Sequence, residues 1–312
     1  IDIIYIYNKN LKRRITMHLN NLSTEELKKR RLYSNLALFL VAFLWGTTFT
    51  VSKYAFAYFT PVYMIAFRFT IGVLAMCIFF WKKISKITLK DLKGGIIVGI
   101  IFFIAFVTQL IALQYTEAGK QAFLAATYVV MAPFLYWIIY HKKPDFRTLA
   151  GAFICFLGIG LLTLNASLSI SFGDGLTLFS SLFFALHIMF NGYFVEKQDP
   201  VILSTVQFAV VAIISWIFAF FFEPFPTAIG FEGIASVLYL GIFCTGLAYF
   251  LQTAAQRYTL ATHAAIILSL ESVFGILLAV VMLGEVFTLR MLMGCIAIFG
   301  AILITELRPS SE

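Results

Sequence analysis

One acidic side chain stands where acids are costly. Of the fifteen Asp and Glu residues, only Glu271 lies deep within an apolar run, ten residues after Ala261 and twelve before Leu283. An acidic residue at such depth in a bilayer costs about 2.5–3.5 kcal/mol on insertion scales, so a partner, a proton or a water-filled cavity must offset it. Two readings stand: a proton-accepting or cation-binding carboxylate, and a structural hydrogen bond between helices. Polar residues elsewhere fall in a matching pattern. Trp45, Thr48 and Ser52 are spaced i, i+3, i+7, and so are Phe184, His187 and Asn191. That spacing puts each trio on one helical face. An aromatic platform followed by two hydrogen-bonding groups suits the lining of a cavity, and equally suits ordinary packing between helices. Gln109 and Gln252 add amides that can bind a polar substrate or join helices. His187 is in addition a candidate proton carrier.

The elements that carry these residues are membrane spans. Of the 312 residues 61% are hydrophobic and only 12% are charged, roughly half the charge of a soluble domain. A bilayer-spanning helix needs about 20 apolar residues. Ten stretches approach this length, near Ser34 to Tyr54, Pro61 to Trp81, Leu92 to Leu113, Lys120 to Tyr140, Phe146 to Leu164, Asp174 to Tyr193, Pro200 to Phe222, Gly233 to Thr253, Ala261 to Leu283 and Thr288 to Thr305. The predicted fold class is an all-α membrane protein. The net charge of +8 does not indicate nucleic acid, because the basic residues flank the apolar runs as topology signals do. Of the 23 Lys and Arg, only Lys53, Lys120 and Arg290 fall on the side opposite the amino terminus, with Arg68 inside a span. Both termini are therefore expected in the cytoplasm of a cell whose plasma membrane holds the chain.

The chain repeats itself. Residues 105–151 align without gaps on residues 248–294, pairing Gln109 with Gln252, Tyr115 with Tyr258, Thr116 with Thr259 and Gly151 with Gly294. Earlier in the halves Pro61 pairs with Pro200, and the two polar trios fall on each other. Tyr128 is the counterpart of Glu271, and Gln207 of Arg68. The expected organisation is a basic cytoplasmic segment over 1–33, a first five-helix repeat over 34–165 and a second over 172–305. Five spans is an odd number, so the second repeat is inverted relative to the first. Inverted repeats allow a central site to open to each membrane face in turn.

Other signals are weaker. Cys77, Cys155, Cys244 and Cys295 sit in apolar stretches without paired spacing, as packing residues do, and no cofactor or metal is expected. Neither His-Glu-x-x-His nor Gly-x-Ser-x-Gly occurs, and there is no close carboxylate pair, which disfavours an intramembrane enzyme. Arg68 reads as structural, satisfied by a carbonyl, by snorkelling or by a lipid phosphate, with pairing to an anionic substrate as the other possibility. Lys120 and His263 align near the entrances of their spans. Glycines such as Gly95, Gly99, Gly158, Gly241 and Gly294 permit close helix approach, and Pro133 predicts a bend in the fourth span. Ser23-Thr24-Glu25-Glu26 reads as a capping box, and Met17 as a candidate start.

Trp45-Gly46, the Tyr115-Thr116-x-Ala118 and Tyr258-Thr259-x-Ala261 turns, Leu270-Glu271-x-Val273-Phe274, Gly284-Glu285 and Gly294 together resemble the drug/metabolite transporter superfamily, in its EamA-type ten-helix branch, over about Ser34 to Glu306. The resemblance implies that spans 1, 3, 4, 6, 8 and 9 surround a central cavity while 5 and 10 lie outside. Ser272 stands where many relatives carry a proline after the glutamate, and His141-Lys142 stands where the Gly-Glu is repeated. The expected function is a secondary carrier for a small polar metabolite such as an amino acid, with the proton as a candidate coupling ion. A lipid scramblase or channel is the alternative. Expected substrate contacts are Glu271, Trp45, Thr48, Ser52, Gln109, Tyr128, Phe184, His187, Asn191 and Gln252, and membrane lipids are the other partner.

Overall fold

The computed structural model describes residues 24–140, 143–163, 170–195, 198–227, 229–255 and 261–306. Among them the chain forms ten helical rods and no strand. These are α1 (Thr24–Ala55), α2 (Pro61–Ile84), α3 (Leu89–Leu113), α4 (Ala118–Ala126 and Tyr128–Tyr140), α5 (Phe146–Thr163), α6 (Phe172–Val195), α7 (Pro200–Phe222), α8, α9 (Ala261–Leu283) and α10 (Leu289–Glu306). α8 runs through Phe231–Tyr239, a π-helical Leu240–Leu247 and Ala248–Ala255. Six rods are long and apolar enough to cross a membrane on their own measure, and α5, α9 and α10 contribute shorter apolar stretches. With lipid as solvent, helices are favoured because every backbone polar group must be satisfied within the segment. Most of the basic amino-terminal segment, Met17, His141-Lys142 and the side chains of the capping box and His263 lie outside the described residues.

Short connections make successive helices antiparallel. The face on which α1 begins is the near face, and its opposite the far face. α5 packs on α10, α2 on α7 and α4 on α9. α1 packs on α8 and α9, as α6 packs on α3 and α4; α3 packs on α7, as α8 packs on α2. Exchanging the halves maps this set of neighbours onto itself, the signature of a two-fold repeat. Together with the odd number of helices per half, it makes the fold two inverted five-helix repeats.

Distant carboxylates fix the helix starts. Glu223, at the end of α7, accepts from the Val62 and Tyr63 amides at 3.1 Å and from the Thr60 hydroxyl at 2.5 Å, satisfying free N–H groups of α2. At the opposite end of the same helix pair, Asp199 caps α7 through the Val201 amide at 2.9 Å and is held by Lys83 of α2 at 2.8 Å. Burial works against the Asp199 carboxylate, but the Lys83 ammonium and the Val201 amide outweigh it and hold its carboxyl below the usual range.

Three features of the helix backbone bear on the sequence expectations. The fourth span breaks at Thr127, six residues before Pro133, which lies inside the second piece. The Leu124 carbonyl there accepts from the Thr127 hydroxyl at 2.6 Å and the Ser181 hydroxyl at 3.0 Å, so side chains replace helix bonds. α9 passes unbroken through Glu271-Ser272, and the Ser272 hydroxyl bonds the Ser269 carbonyl at 2.7 Å. The π-helical stretch of α8 carried no clear sequence signal. Gly241 lets this stretch pack directly on α2, because a Cβ there would meet Ile71 at 2.6 Å and the Arg68 carbonyl at 2.8 Å.

Candidate functional site

The site assembles from glycine contacts upward. Gly46 brings α1 against α9, since a Cβ at Gly46 would lie 2.5 Å from Phe274 Cβ and 2.9 Å from the Glu271 carbonyl oxygen. Trp45 and Glu271 thereby come to face a common space. Trp45 is anchored by its indole N–H, which donates to the Cys244 carbonyl at 3.1 Å. That carbonyl lies in the π-helical stretch of α8, where the normal ladder is shifted and backbone groups become available to side chains.

Between the two halves lies a cavity of about 310 Å³. Such a volume is at the small end of small-molecule sites. Nine of the ten expected contact residues line it: Glu271, Trp45, Thr48, Gln109, Tyr128, Phe184, His187, Asn191 and Gln252. Ser52 does not. It is fully buried one turn beyond the lining, toward the far face, and among the described residues its hydroxyl has no hydrogen-bond partner. Ser52 lies one turn after Thr48 along α1, and the depth at which the cavity closes is not legible in the sequence. Arg68, Gln207, Tyr249 and Ser204 also line the cavity. α2 and α7 therefore join the six lining helices that the resemblance implied, while α5 and α10 contribute no lining residue.

Charge in the cavity is sparse and distinctive. Glu271 is 7% exposed, and among the described residues no ion pair or hydrogen bond engages its side chain. Arg68 is 2% exposed; its Nε donates to the Thr245 hydroxyl at 2.8 Å and its guanidinium lies 4.9 Å from the centre of the Phe106 ring. The partner of Nε is thus a hydroxyl on another helix, in place of the carbonyl, interfacial or lipid-phosphate partners expected from the sequence. His187 stacks on Phe102 at 4.0 Å and shares a 2.8 Å hydrogen bond with Gln207, whose amide oxygen accepts. The backbone of Gln109 is fixed by the Gln121 amide, which donates to its carbonyl at 2.8 Å.

Toward the far face the bundle is sealed by polar contacts. Glu285 accepts from the Ala118 and Gly119 amides at 2.7 and 2.9 Å and lies 3.6 Å from Lys53. Lys53 donates to the Thr116 carbonyl at 2.6 Å, and the Thr116 hydroxyl to Asp174 at 2.7 Å. Lys120 pairs with the same buried Asp174 at 2.6 Å. Lys120 thus belongs to this seal and not to the cavity. Toward the near face the lining continues through Asn191, Gly192 and Ser204, at the end of α6 and the start of α7.

The EamA-like transporter family matches residues 32–164 and again residues 171–307, one match per half. The chain belongs to this family. An uncharacterized transporter of Archaeoglobus fulgidus is 35% identical over 283 residues, covering 89% of this chain and 87% of its own. The uncharacterized transporter YdfC of Bacillus subtilis is 22% identical over 291 residues, covering 90% and 94%. A crystal structure superposes with a TM-score of 0.62 over 87% of this chain and 95% of its own at 16% identity, and so shares the fold. This EamA-like chain is accordingly a multi-pass membrane protein of a transporter family. Its relatives' names point to transport and not to enzymes.

Proposed function

We propose that the chain is a secondary carrier that moves a small polar metabolite, such as an amino acid, across the plasma membrane by alternating access. The carrying observation is the unequal treatment of equal positions. Lys53 and Gly192 are counterparts in the two halves. Lys53 is tied into the far-face seal, whereas Gly192 lines the cavity with nothing within 4 Å of an added Cβ. Two halves of one fold in opposite orientation, tied by polar contacts at the far end and, among the described residues, lined by Asn191 and Gly192 toward the near end, correspond to one state of a two-state cycle. The near face, where the basic residues concentrate, is the cytoplasmic one in this reading, so the cavity faces inward.

Glu271 is the acceptor of a substrate ammonium or of a coupling proton. A carboxylate at this depth without a protein partner among the described residues needs an offsetting ligand. Trp45 and Phe184 supply apolar walls, and Thr48, Gln109, Tyr128, His187, Asn191 and Gln252 supply hydrogen bonds that fix orientation. The test is counterflow in proteoliposomes with amino acids and related metabolites. Saturable exchange that loses its rate and pH dependence in Glu271→Gln supports the reading. Unchanged exchange in that variant removes Glu271 from the mechanism, and flux without saturation or counterflow indicates a pore.

A further inference from the structure

We propose that Arg68 is the carboxylate-binding residue of the cavity, which rests on the cavity being the transport site. A guanidinium at mid-bilayer is costly, and the contacts around Arg68 do not neutralise it. Nε is satisfied by the Thr245 hydroxyl, and the Phe106 and Phe69 rings lie 4.9 and 5.9 Å away. Nη1 is buried and, among the described residues, has no hydrogen-bond partner. Among the described residues no carboxylate forms an ion pair with Arg68. The residue nevertheless lines the cavity. A buried cation with an unfilled donor on its planar fork is a binding site awaiting an anion.

The guanidinium is held in place and does not reach for solvent. Thr245 presents its hydroxyl from the π-helical stretch of α8, where it also bonds the Leu240 carbonyl at 2.9 Å. Gly72 lets that hydroxyl approach α2, since a Cβ on Gly72 would meet Thr245 Cγ2 at 3.0 Å. The irregular turn of α8 therefore orients the fork of α2. Fixed geometry of this kind is what recognition of a planar, two-oxygen group requires.

The anion is a monocarboxylate. Glu271 lines the same small cavity, so a dianionic phosphate would meet one cation and one carboxylate together. The other lining side chain able to carry positive charge, His187, is bonded to Gln207. Gln207 is the counterpart of Arg68, so the anion subsite exists in the first half only, as the acid exists in the second half only. Breaking the two-fold symmetry at these two positions gives the substrate a fixed orientation, with its carboxylate on Arg68.

The experiment is thermal unfolding of the purified full-length chain in detergent. The probes are amino acids and hydroxy and keto monocarboxylates, each beside its methyl ester or amide, with inorganic phosphate as a separate arm. Acids should raise the transition temperature where their esters and amides, which lack the carboxylate charge, do not. Arg68→Met should weaken acid binding about tenfold or more, while its ligand-free transition stays cooperative. Arg68→Lys should keep part of the preference. Should Arg68→Met not fold, Thr245→Val keeps the guanidinium, loses its Nε acceptor, and should reduce the acid-over-ester preference. A purely structural arginine would lower ligand-free stability and leave that preference unchanged. The assignment is overturned if acids and esters stabilise equally, if no carboxylate stabilises the wild type, if phosphate exceeds every carboxylate, or if Arg68→Met or Thr245→Val keeps the full preference. Absence of counterflow for a stabilising acid would defeat the carrier reading alone, because binding at Arg68 would still stand.

Discussion

Ser52 and Asn191 hold the same position in the two halves and end in opposite environments. Asn191 lines the cavity toward the near face, whereas Ser52 is fully buried beyond it toward the far face. The difference is one of side, not of sequence register, because the second half runs through the membrane in the opposite sense.

The first prediction follows from that pair. In a background with the four native cysteines replaced, Asn191→Cys should react readily with a small hydrophilic thiol reagent and Ser52→Cys slowly. Lys53→Met combined with Glu285→Gln removes the 3.6 Å ion pair at the far-face seal and the two amide caps of α4 from a charged acceptor. Weakening the sealed state by about 1–2 kcal/mol shifts the population about tenfold, so Ser52→Cys labelling should accelerate by that factor. Equal labelling of both cysteines before the seal is altered would contradict the one-sided cavity.

Lys120 and Asp174 form the most buried ion pair described, with side chains 16% and 0% exposed. Lys120→Met leaves the Asp174 charge with only uncharged donors. The cost of such an orphaned charge is about 3–5 kcal/mol, read as a lower thermal transition. Adding Asp174→Asn should recover most of the loss. If the double variant is no more stable than Lys120→Met, the pair is not the source of the effect.

Gly46 and Gly300 give a paired packing test. Gly46→Ala forces a Cβ to within 2.5 Å of Phe274, while Gly300→Ala meets nothing within 4 Å. Overpacking costs about 1–3 kcal/mol, so Gly46→Ala should lower the transition temperature and also disturb Glu271, whose carbonyl lies beside the same spot. Gly300→Ala should be neutral or slightly stabilising. Equal effects of the two substitutions would reject the close α1–α9 approach.

The Lys83–Asp199 pair sets a pH dependence at the near face. The Asp199 carboxyl is held below its unfolded range, so its contribution to stability is present above that range and is lost as pH falls through the folded value. Lys83→Met should therefore lower stability at neutral pH and flatten the acid limb below about pH 4. An unchanged difference between the two proteins across the acid range would show that the pair carries no linkage. Because the pair is partly exposed, added salt should shrink the effect.

Much of the fold was legible in the sequence because lipid imposes simple rules. Apolar runs of span length, basic flanks and the 105–151 to 248–294 repeat specify ten helices in two inverted halves without reference to any contact. The same repeat, with helical spacing, brought Trp45, Thr48, Phe184, His187 and Asn191 to one candidate surface, since faces follow from a period of 3.6 residues. The residues that the sequence misplaced depend on depth and on distant partners. Ser52 shares its face with Thr48 but lies beyond the end of the cavity, in the closed stretch just before the seal of Lys53 and Glu285. The partners of Arg68 were not legible, because the irregular turn of α8 that delivers Thr245 is not encoded within α2. The break at Thr127 likewise depends on Ser181, from another helix, to satisfy the Leu124 carbonyl. Periodicity fixes which way a side chain points, a local property; which neighbours meet it, and whether water can follow, are set only when all ten helices pack.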